Sequence, residues 1–190
     1  MSTPELLELM QTHHPTASKA AFDKYYSRLA GIATRYAKST AQADELFNVS
    51  FHASLLSLRT LRQPPLNLDD FIEREFIVQA IAFIKSIRSE YYVSSTVHAT
   101  SGASSRNYDL FDSAEVIDYR QIGNELLIKG IQNLVPSQRL IFNLHVIDGY
   151  SLTDAALLLE ASDGTVKSNL EKARFNLQKN IDKSLKSVKA

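Results

Sequence analysis

The stretch GYSLTDAALLLEASDGTVKSNLEKAR, residues 149–174, decides how the C-terminal part of this chain folds. Its pattern predicts a short helix, a tight turn and a longer second helix. Ser151 and Ser162 stand where the two helices should begin, because a serine hydroxyl can accept a free amide proton of the first turn. Spacings of three and four predict one buried stripe in the second helix: Val166, Leu170, Ala173 and Leu177. This is the pattern of a helix-turn-helix, whose second helix can enter the major groove of DNA.

The other side of the second helix carries hydroxyl, carboxylate and ammonium groups, which can pair with base edges or phosphates. The candidate DNA-contacting residues on this side and its flanks are Thr165, Lys167, Ser168, Glu171, Lys172 and Arg174. We expect Arg174 to face phosphate. Periodicity alone also allows an ordinary helical hairpin with a solvated face. Glu160 falls in the turn, where a glycine would adopt a positive φ more easily.

Composition excludes several classes of protein. The 190 residues include no cysteine, so the chain has no disulfide framework and no thiolate metal site. It begins without a signal-peptide pattern and has no apolar run of the roughly 20 residues that span a bilayer. We therefore expect a soluble, cytoplasmic protein without membrane insertion.

The formal net charge of zero conceals a basic C-terminal end. From residue 164 onward seven basic residues stand against two acidic ones, an excess of five positive charges. Such an excess favours a nucleic-acid partner, although a solvated lysine-rich helix has the same pattern.

Helical periodicity also covers the first half of the chain. Apolar stripes predict helices over about 22–36, 43–58 and 69–89. The predicted stripe of the second helix is Phe47, Phe51, Ser54 and Leu58, and that of the third is Ile72, Phe76, Ala80, Phe83 and Ile87. Asp69 or Asp70 is expected to cap the third of them. The first helix is predicted to present one apolar face: Phe22, Tyr25, Tyr26, Leu29, Ile32, Ala33 and Tyr36.

The amino-acid composition changes at residues 93–119, where a run rich in Ser, Thr and Ala predicts a flexible linker. Beyond it, apolar spacing predicts a helix that ends before Pro136 and another that Ser137 caps. The predicted fold class is therefore all-α, with two small helical domains. A three-to-four-helix bundle occupies residues 1–92, and a four-helix domain with the helix-turn-helix occupies residues 120–190.

No catalytic or metal-ligating arrangement stands out. His13 and His14 are adjacent and would face different ways on a helix, and no third ligand is evident. Neither a G-x-S-x-G nucleophile pattern nor a phosphate-binding glycine loop occurs. We therefore expect that the protein is not an enzyme and that it has no catalytic residue, no metal and no cofactor.

Residues 134–151, LVPSQRLIFNLHVIDGYS, and residues 164–168, GTVKS, resemble region 4 of bacterial sigma-70-family factors. The resemblance is strongest to the extracytoplasmic-function group, whose pattern is approximately L-P-x-x-x-R-x-x-F-x-L-x-x-x-x-G-Y-S, then G-T-V-K-S-x-L-x-x-A-R. It implies that the second domain is a region 4, whose recognition helix reads the promoter's −35 element.

The first domain and the linker are similar to region 2 of that family and the linker that follows it. Residues 43–51, ADELFNVSF, resemble the family segment A-E-D-L-V-Q-E-V-F, which binds the polymerase clamp helices. Asn48 and Val49 depart from it, and the third helix lacks the family's Trp-Leu and Asn signals. The resemblance implies core-binding residues Asp44, Glu45, Leu46, Asn48 and Phe51. It implies −10 contacts by basic residues of the third helix: Arg74, Lys85 and Arg88.

These features predict a transcription initiation factor that binds the β and β′ subunits of RNA polymerase core. It would direct core to promoters by recognising their −35 and −10 elements, and it should act as a monomer. An anti-sigma factor is a further candidate partner. Two alternatives stay open. One is a sigma-like interaction module that has lost promoter opening; the other is a one-component helix-turn-helix regulator, which would bind a palindromic site as a dimer.

Overall fold

The computed structural model describes four stretches of the backbone: residues 3–12, 14–61, 63–87 and 123–188. All regular structure in these stretches is helical. The chain divides into two compact units: the first is built around the helices up to Ser86 and includes Leu157–Glu160, and the second is built around the rest of the helices from Asn124 onward. The predicted all-α fold class is thereby confirmed. The predicted linker at 93–119 lies outside the described residues, and the predicted domain boundaries stay a prediction.

The first unit contains four helices among the described residues: α1 (Thr3–Gln11), α2 (Ala17–Tyr36), α3 (Thr40–Arg59) and α4 (Leu68–Ser86). The sequence prediction described only the last three of them. In α1, Leu6 and Met10 lie one turn apart and are fully buried, a pair too short to establish a period. Helix α3 begins earlier than predicted because Ser39 accepts a 3.3 Å hydrogen bond from the amide of Gln42.

The apolar stripe predicted for α3 is buried throughout. In α4, by contrast, the side of the helix that is buried differs from the predicted one. Phe83 of α4 and Ile87, the residue after this helix, are only partly buried. The buried apolar residues of α4 are instead Leu68, Ile72, Phe76, Ile77, Ala80, Ile81 and Ile84. This helix is apolar on more than one side, so its period alone does not fix which side faces the core.

Two aromatic residues assigned to the apolar face of α2 lie outside the core. Phe22 is 40% exposed and Tyr26 is 48% exposed, whereas Tyr25 and Leu29 are buried. The apolar face of α2 is therefore wider than the surface that α3 and α4 cover.

Asn67 caps α4, and the prediction that Asp69 or Asp70 would do so is wrong. The Asn67 side-chain oxygen accepts hydrogen bonds from the amides of Asp69 at 3.0 Å and Asp70 at 3.3 Å. Asp69 instead accepts a 2.7 Å hydrogen bond from the Tyr25 hydroxyl and pairs with Lys24 at 2.9 Å. These two hydrogen bonds hold the pKa of Asp69 below its usual value. The stabilising effect of the ionised Asp69 carboxylate is therefore complete above the ordinary aspartate pKa. It is lost as pH falls through the lowered pKa of Asp69.

The described helices after the first four are α5 (Asn124–Gln132), α6 (Pro136–Phe142), α7 (Leu152–Leu159) and α8 (Asp163–Val188), and all but the end of α7 belong to the second unit. A π-helical turn, Asn143–Ile147, continues α6. The prediction that Ser137 caps α6 is wrong: Val135 holds the cap position, and Pro136 opens the helix with a preset φ. Ser137 is buried within the first turn.

Helix α8 packs against both α5 and α6. The shared apolar cluster draws on all three helices and on the loop between α5 and α6: Ile131, Leu134, Phe142, Ala173, Leu177 and Ile181. Leu126 and Leu127 of α5 extend it toward solvent. This packing fixes one side of α8 inside the unit and leaves the other side outside it.

Candidate nucleic-acid interface

The helix-turn-helix begins where the π-helical turn ends. Gly149 adopts a φ of +74°, in the left-handed region that glycine reaches without strain. Tyr150 then donates its amide to the carbonyl of Leu144 at 2.9 Å. Ser151 caps α7 as predicted, because its hydroxyl accepts the Asp154 amide at 3.0 Å and donates to the Asp154 carboxylate at 2.6 Å.

The turn between α7 and α8 contains a residue with a positive φ, as the sequence predicts. Glu160 has a φ of 53°, and Ala161 donates its amide to the carbonyl of Ala156 at 3.0 Å, which closes the C-terminus of α7. Ser162 caps α8 as predicted: its hydroxyl accepts the Thr165 amide at 3.2 Å and lies 2.9 Å from the Thr165 hydroxyl.

Replacing Glu160 with glycine is expected to raise the free energy of unfolding of the full chain by about 1 kcal/mol. A non-glycine residue in the left-handed region costs about 1–2 kcal/mol, and the extra freedom of glycine in the unfolded chain offsets part of that gain. Urea denaturation measures the difference. Glu160→Ala is the control, because alanine retains the Cβ and the strain; an equal gain in the alanine variant would contradict the explanation.

The buried stripe of α8 is the one predicted. Val166, Leu170, Ala173 and Leu177 are at most 5% exposed, and the stripe continues to Ile181. On α7, Ala156 and Leu159 are buried, and Leu152 is partly buried. Helix α8 therefore docks its aliphatic side inside the second unit.

The candidate DNA-contacting residues all lie along the first half of α8, away from that stripe. Thr165, Ser168 and Lys172 follow one another at helical spacing and form one row. Glu171 flanks this row on one side. Lys167 and Arg174, two turns apart, form a second exposed row.

Most of the charge on this surface is available to a ligand. Lys167, Glu171 and Arg174 are exposed, and Lys172 is partly buried. Within the described part of the chain, none of the four takes part in an ion pair. Contact of these residues with DNA stays a prediction.

Polar contacts that the sequence prediction missed hold the helices of this unit together, and two of them involve α8. Asn176 donates to the side-chain oxygen of the buried Gln138 on α6 at 2.9 Å. One turn further on, Asn180 donates to the carbonyl of Gly130 on α5 at 3.3 Å. Arg139 is also buried and donates to carbonyls at the end of α5. These partners belong to different helices, so no spacing within one helix signals them.

The residues predicted to bind polymerase core divide between surface and interior. Asp44, Glu45 and Asn48 are exposed on α3. Leu46 is fully buried and Phe51 is 8% exposed, so their side chains pack within the first unit.

The predicted −10 residues are only partly described. Arg74 is exposed on α4, and Lys85 lies about three turns further along the same helix and is partly buried. Arg88 lies outside the described residues. In the described ranges, no helix is long and apolar enough to cross a membrane.

Two capped helices at a left-handed turn, with the second anchored along its inner side, define a protein of the helix-turn-helix DNA-binding class. Comparison with known proteins agrees with this class. Residues 124–177 match the family model of sigma-70, region 4. No curated protein sequence matches the chain.

The fold is also similar to that of a chain in the co-crystal structure of the sigma factor RpoE in complex with the anti-sigma factor NepR from Bartonella quintana. The TM-score is 0.53 at 18% sequence identity, and the match covers 88% of this chain and 98% of that chain. The resemblance to region 4 predicted from the sequence is thereby confirmed, because residues 124–177 match the sigma-70 region 4 family. The similarity to the RpoE chain shows a shared fold.

Proposed function

We propose that the chain is a transcription initiation factor that binds RNA polymerase core through its first unit and directs it to promoters through α8. The observation that carries the proposal is the capped helix-turn-helix, whose second helix keeps four charged residues outside the packed core of its unit: Lys167, Glu171, Lys172 and Arg174. In this proposal the N-terminal half of α8 reads the −35 element. Asp44, Glu45 and Asn48 contact core.

Reconstituted transcription tests the proposal. Purified core polymerase and the full chain are incubated with a promoter library from the source genome, and the start sites are sequenced. We expect transcripts that share one −35 motif and require the added chain. Absence of such transcripts, together with absence of a complex between the chain and core on sizing, would contradict the sigma function.

The chain should also have a regulator of the anti-sigma type. RpoE, a structural neighbour of this chain, forms a complex with the anti-sigma factor NepR. Affinity purification of the tagged chain from its source organism, followed by mass spectrometry, tests for a regulator that competes with core.

One observation favours a second candidate, a sigma-like interaction module that does not open promoters. The most exposed row of α4 is Asp70, Arg74, Val78, Ala82 and Ser86, so among the described residues it offers one cation and no aromatic ring. Stacking of unpaired bases depends on aromatic side chains. Footprinting of the complex of chain and core distinguishes the two functions, because only a promoter-opening factor produces permanganate-reactive thymines near −10.

Replacing Lys172 with alanine is expected to weaken promoter binding and to reduce the slope of log K against log salt by about 1. A lysine that neutralises one phosphate releases about one counterion on binding. The measurement is fluorescence anisotropy of the complex of chain and core on a −35 duplex selected from a random library.

Lys129→Ala is the matched control, because Lys129 is exposed on α5 and pairs with Glu125 at 2.9 Å. Its slope should equal that of the original chain. An unchanged slope with an altered base preference in the Lys172 variant would instead assign Lys172 to a base edge.

A further inference from the structure

One row of residues on α8 connects the candidate recognition surface with the packed side of the helix. The row has a member at every fourth position: Ser168, Lys172, Asn176 and Asn180. Four residues turn a helix by about 400°, so each member lies about 40° further around α8 than the one before it. The row therefore begins among the candidate DNA-contacting residues and ends against the neighbouring helices of the second unit.

Two hydrogen bonds hold the inner end of this row. Asn176 donates to the side-chain oxygen of Gln138 on α6 at 2.9 Å, and Gln138 is only 2% exposed. One turn later, Asn180 donates to the carbonyl of Gly130 at 3.3 Å. That carbonyl is among the last of α5, which a helix leaves without internal partners. We call these two contacts the amide anchors of α8.

The amide anchors restrict a motion that the aliphatic stripe of α8 permits. Hydrophobic contact is non-directional, so the stripe opposes separation of α8 from α5 and α6 more than it opposes rotation of α8 about its own axis. A hydrogen bond, by contrast, is lost when its donor moves away by about 1 Å. A rotation of about 20° moves side-chain ends, which lie about 5–6 Å from the helix axis, by about 2 Å. Such a rotation would break the contact between Asn176 and Gln138.

The same rotation would displace the residues that are proposed to read the −35 element. Ser168 and Lys172 belong to the same helix as the anchors, so their side-chain ends would move by a similar distance. Contacts with base edges require positions that are held within about 0.5 Å. Contacts with phosphates depend mainly on charge and carry no sequence information. A rotated α8 would therefore still bind DNA but would lose its preference for one sequence.

We propose that Gln138 and Asn176 are positioning residues, which set the rotation of α8 and thereby its base preference. Gln138 is buried on α6 and acts through Asn176 rather than by contact with DNA. Asn180 adds a second fixed point one turn further along the helix. The proposal rests on the proposed function, since it takes α8 as the helix that reads the promoter.

A double-leucine variant of the full chain separates positioning from stability. Gln138→Leu together with Asn176→Leu replaces both partners by apolar side chains of similar size. Neither partner is left unsatisfied, so the free energy of unfolding should stay near that of the original chain. The apolar contact that takes their place does not fix the rotation of α8. We expect affinity for the selected −35 duplex to fall at least about ten-fold, and affinity for a duplex with a scrambled −35 element to stay within about three-fold.

Fluorescence anisotropy of the complex of chain and core on the two duplexes, at one salt concentration, measures this ratio. Core without the chain gives the background for each duplex, and urea denaturation of the chain measures its stability. Gln178→Leu is the matched control, because Gln178 is a partly buried amide on α8 whose side chain has no hydrogen-bond partner within the described residues. Its preference for the selected duplex should stay within about three-fold of the original.

Exchange of the two amides tests whether their contact is the cause. Gln138→Asn together with Asn176→Gln keeps one amide on each helix and the same combined length, so the hydrogen bond between α6 and α8 can form again. We expect this variant to regain preference for the selected duplex to within about three-fold of the original chain, whereas the double-leucine variant does not.

Three outcomes would overturn the proposal. If the double-leucine variant keeps the original base preference, the contact between Gln138 and Asn176 is structural only. If it loses affinity for both duplexes equally, the contact does not act on base preference. If the exchanged variant is as stable as the original chain but shows no base preference, the hydrogen bond is not what positions α8. In each case the sigma function stands. If the original chain gives core no preference for any duplex, the proposed function and this proposal fail together.

Discussion

Replacing Arg139 with leucine is expected to lower the free energy of unfolding of the second unit by about 3 kcal/mol or more. Arg139 is only 2% exposed. Its guanidinium donates from one nitrogen to the carbonyl of Gln132 at 2.9 Å and to that of Leu134 at 2.8 Å. These carbonyls lie at the C-terminus of α5, where a helix leaves its last acceptors without internal partners.

The size of this effect follows from the two carbonyls that leucine leaves without a hydrogen-bond donor. Its side chain fills part of the space but donates no hydrogen bond, so two enclosed carbonyls lose a donor at a cost of about 1–3 kcal/mol each. The connection from α5 to α6 should loosen, and with it the surface on which α8 packs. Urea denaturation followed by far-UV circular dichroism measures the loss.

Arg174→Leu is the matched control for that experiment. Arg174 is exposed on α8, so its replacement should change the free energy of unfolding by less than about 0.5 kcal/mol. Equal losses in the two variants would show that the loss of charge, rather than the two hydrogen bonds, explains the effect.

The sequence predicted those parts of the fold that depend on one helix at a time. The stripe of α8 and its serine cap are properties of residues within a few positions of each other, such as Val166 with Leu170 and Ser162 with Thr165. Local spacing sets both, because the helical repeat and the capping geometry are local. The same holds for Glu160, whose turn position signalled a positive φ.

Contacts between helices could not be predicted from the sequence, because they depend on how the helices pack against each other. Whether Phe22 is buried depends on how far α3 and α4 extend across α2, and the period of α2 carries no information about that. Asp69 was available as a cap, but Asn67 took that role while Asp69 bonded to Tyr25 on α2. Arg139 belongs to the family pattern, yet its burial became evident only with the end of α5 beside it.

Replacing Gly130 with valine is expected to destabilise the second unit by about 2 kcal/mol. Gly130 of α5 lies against the Leu177 and Ile181 side chains of α8. A Cβ at this position would lie 2.9 Å from Cδ1 of Leu177 and 3.3 Å from Cγ1 of Ile181. Valine adds two further carbons, so α8 must shift or its side chains must leave their preferred rotamers, and overpacking of this kind costs about 1–3 kcal/mol.

Gly31→Val is the matched control, because Gly31 also lies within a helix but a Cβ there meets no atom within 4 Å. Its stability should stay the same or rise slightly, since a glycine in a helix costs about 0.5–1 kcal/mol relative to alanine. Equal destabilisation of the two variants would exclude the contact between α5 and α8 as the cause.

The Gly130→Val substitution is also expected to affect promoter binding and core binding differently. Because Leu177 and Ile181 belong to the helix that carries Lys172, a displaced α8 should weaken promoter binding by the Gly130→Val variant. Its affinity for core through the first unit should remain within about three-fold of the original, since the first unit is untouched. Titration with core and transcription from the selected promoter measure the two effects on the same preparation. Parallel loss of both activities would mean that core binding depends on the second unit as well.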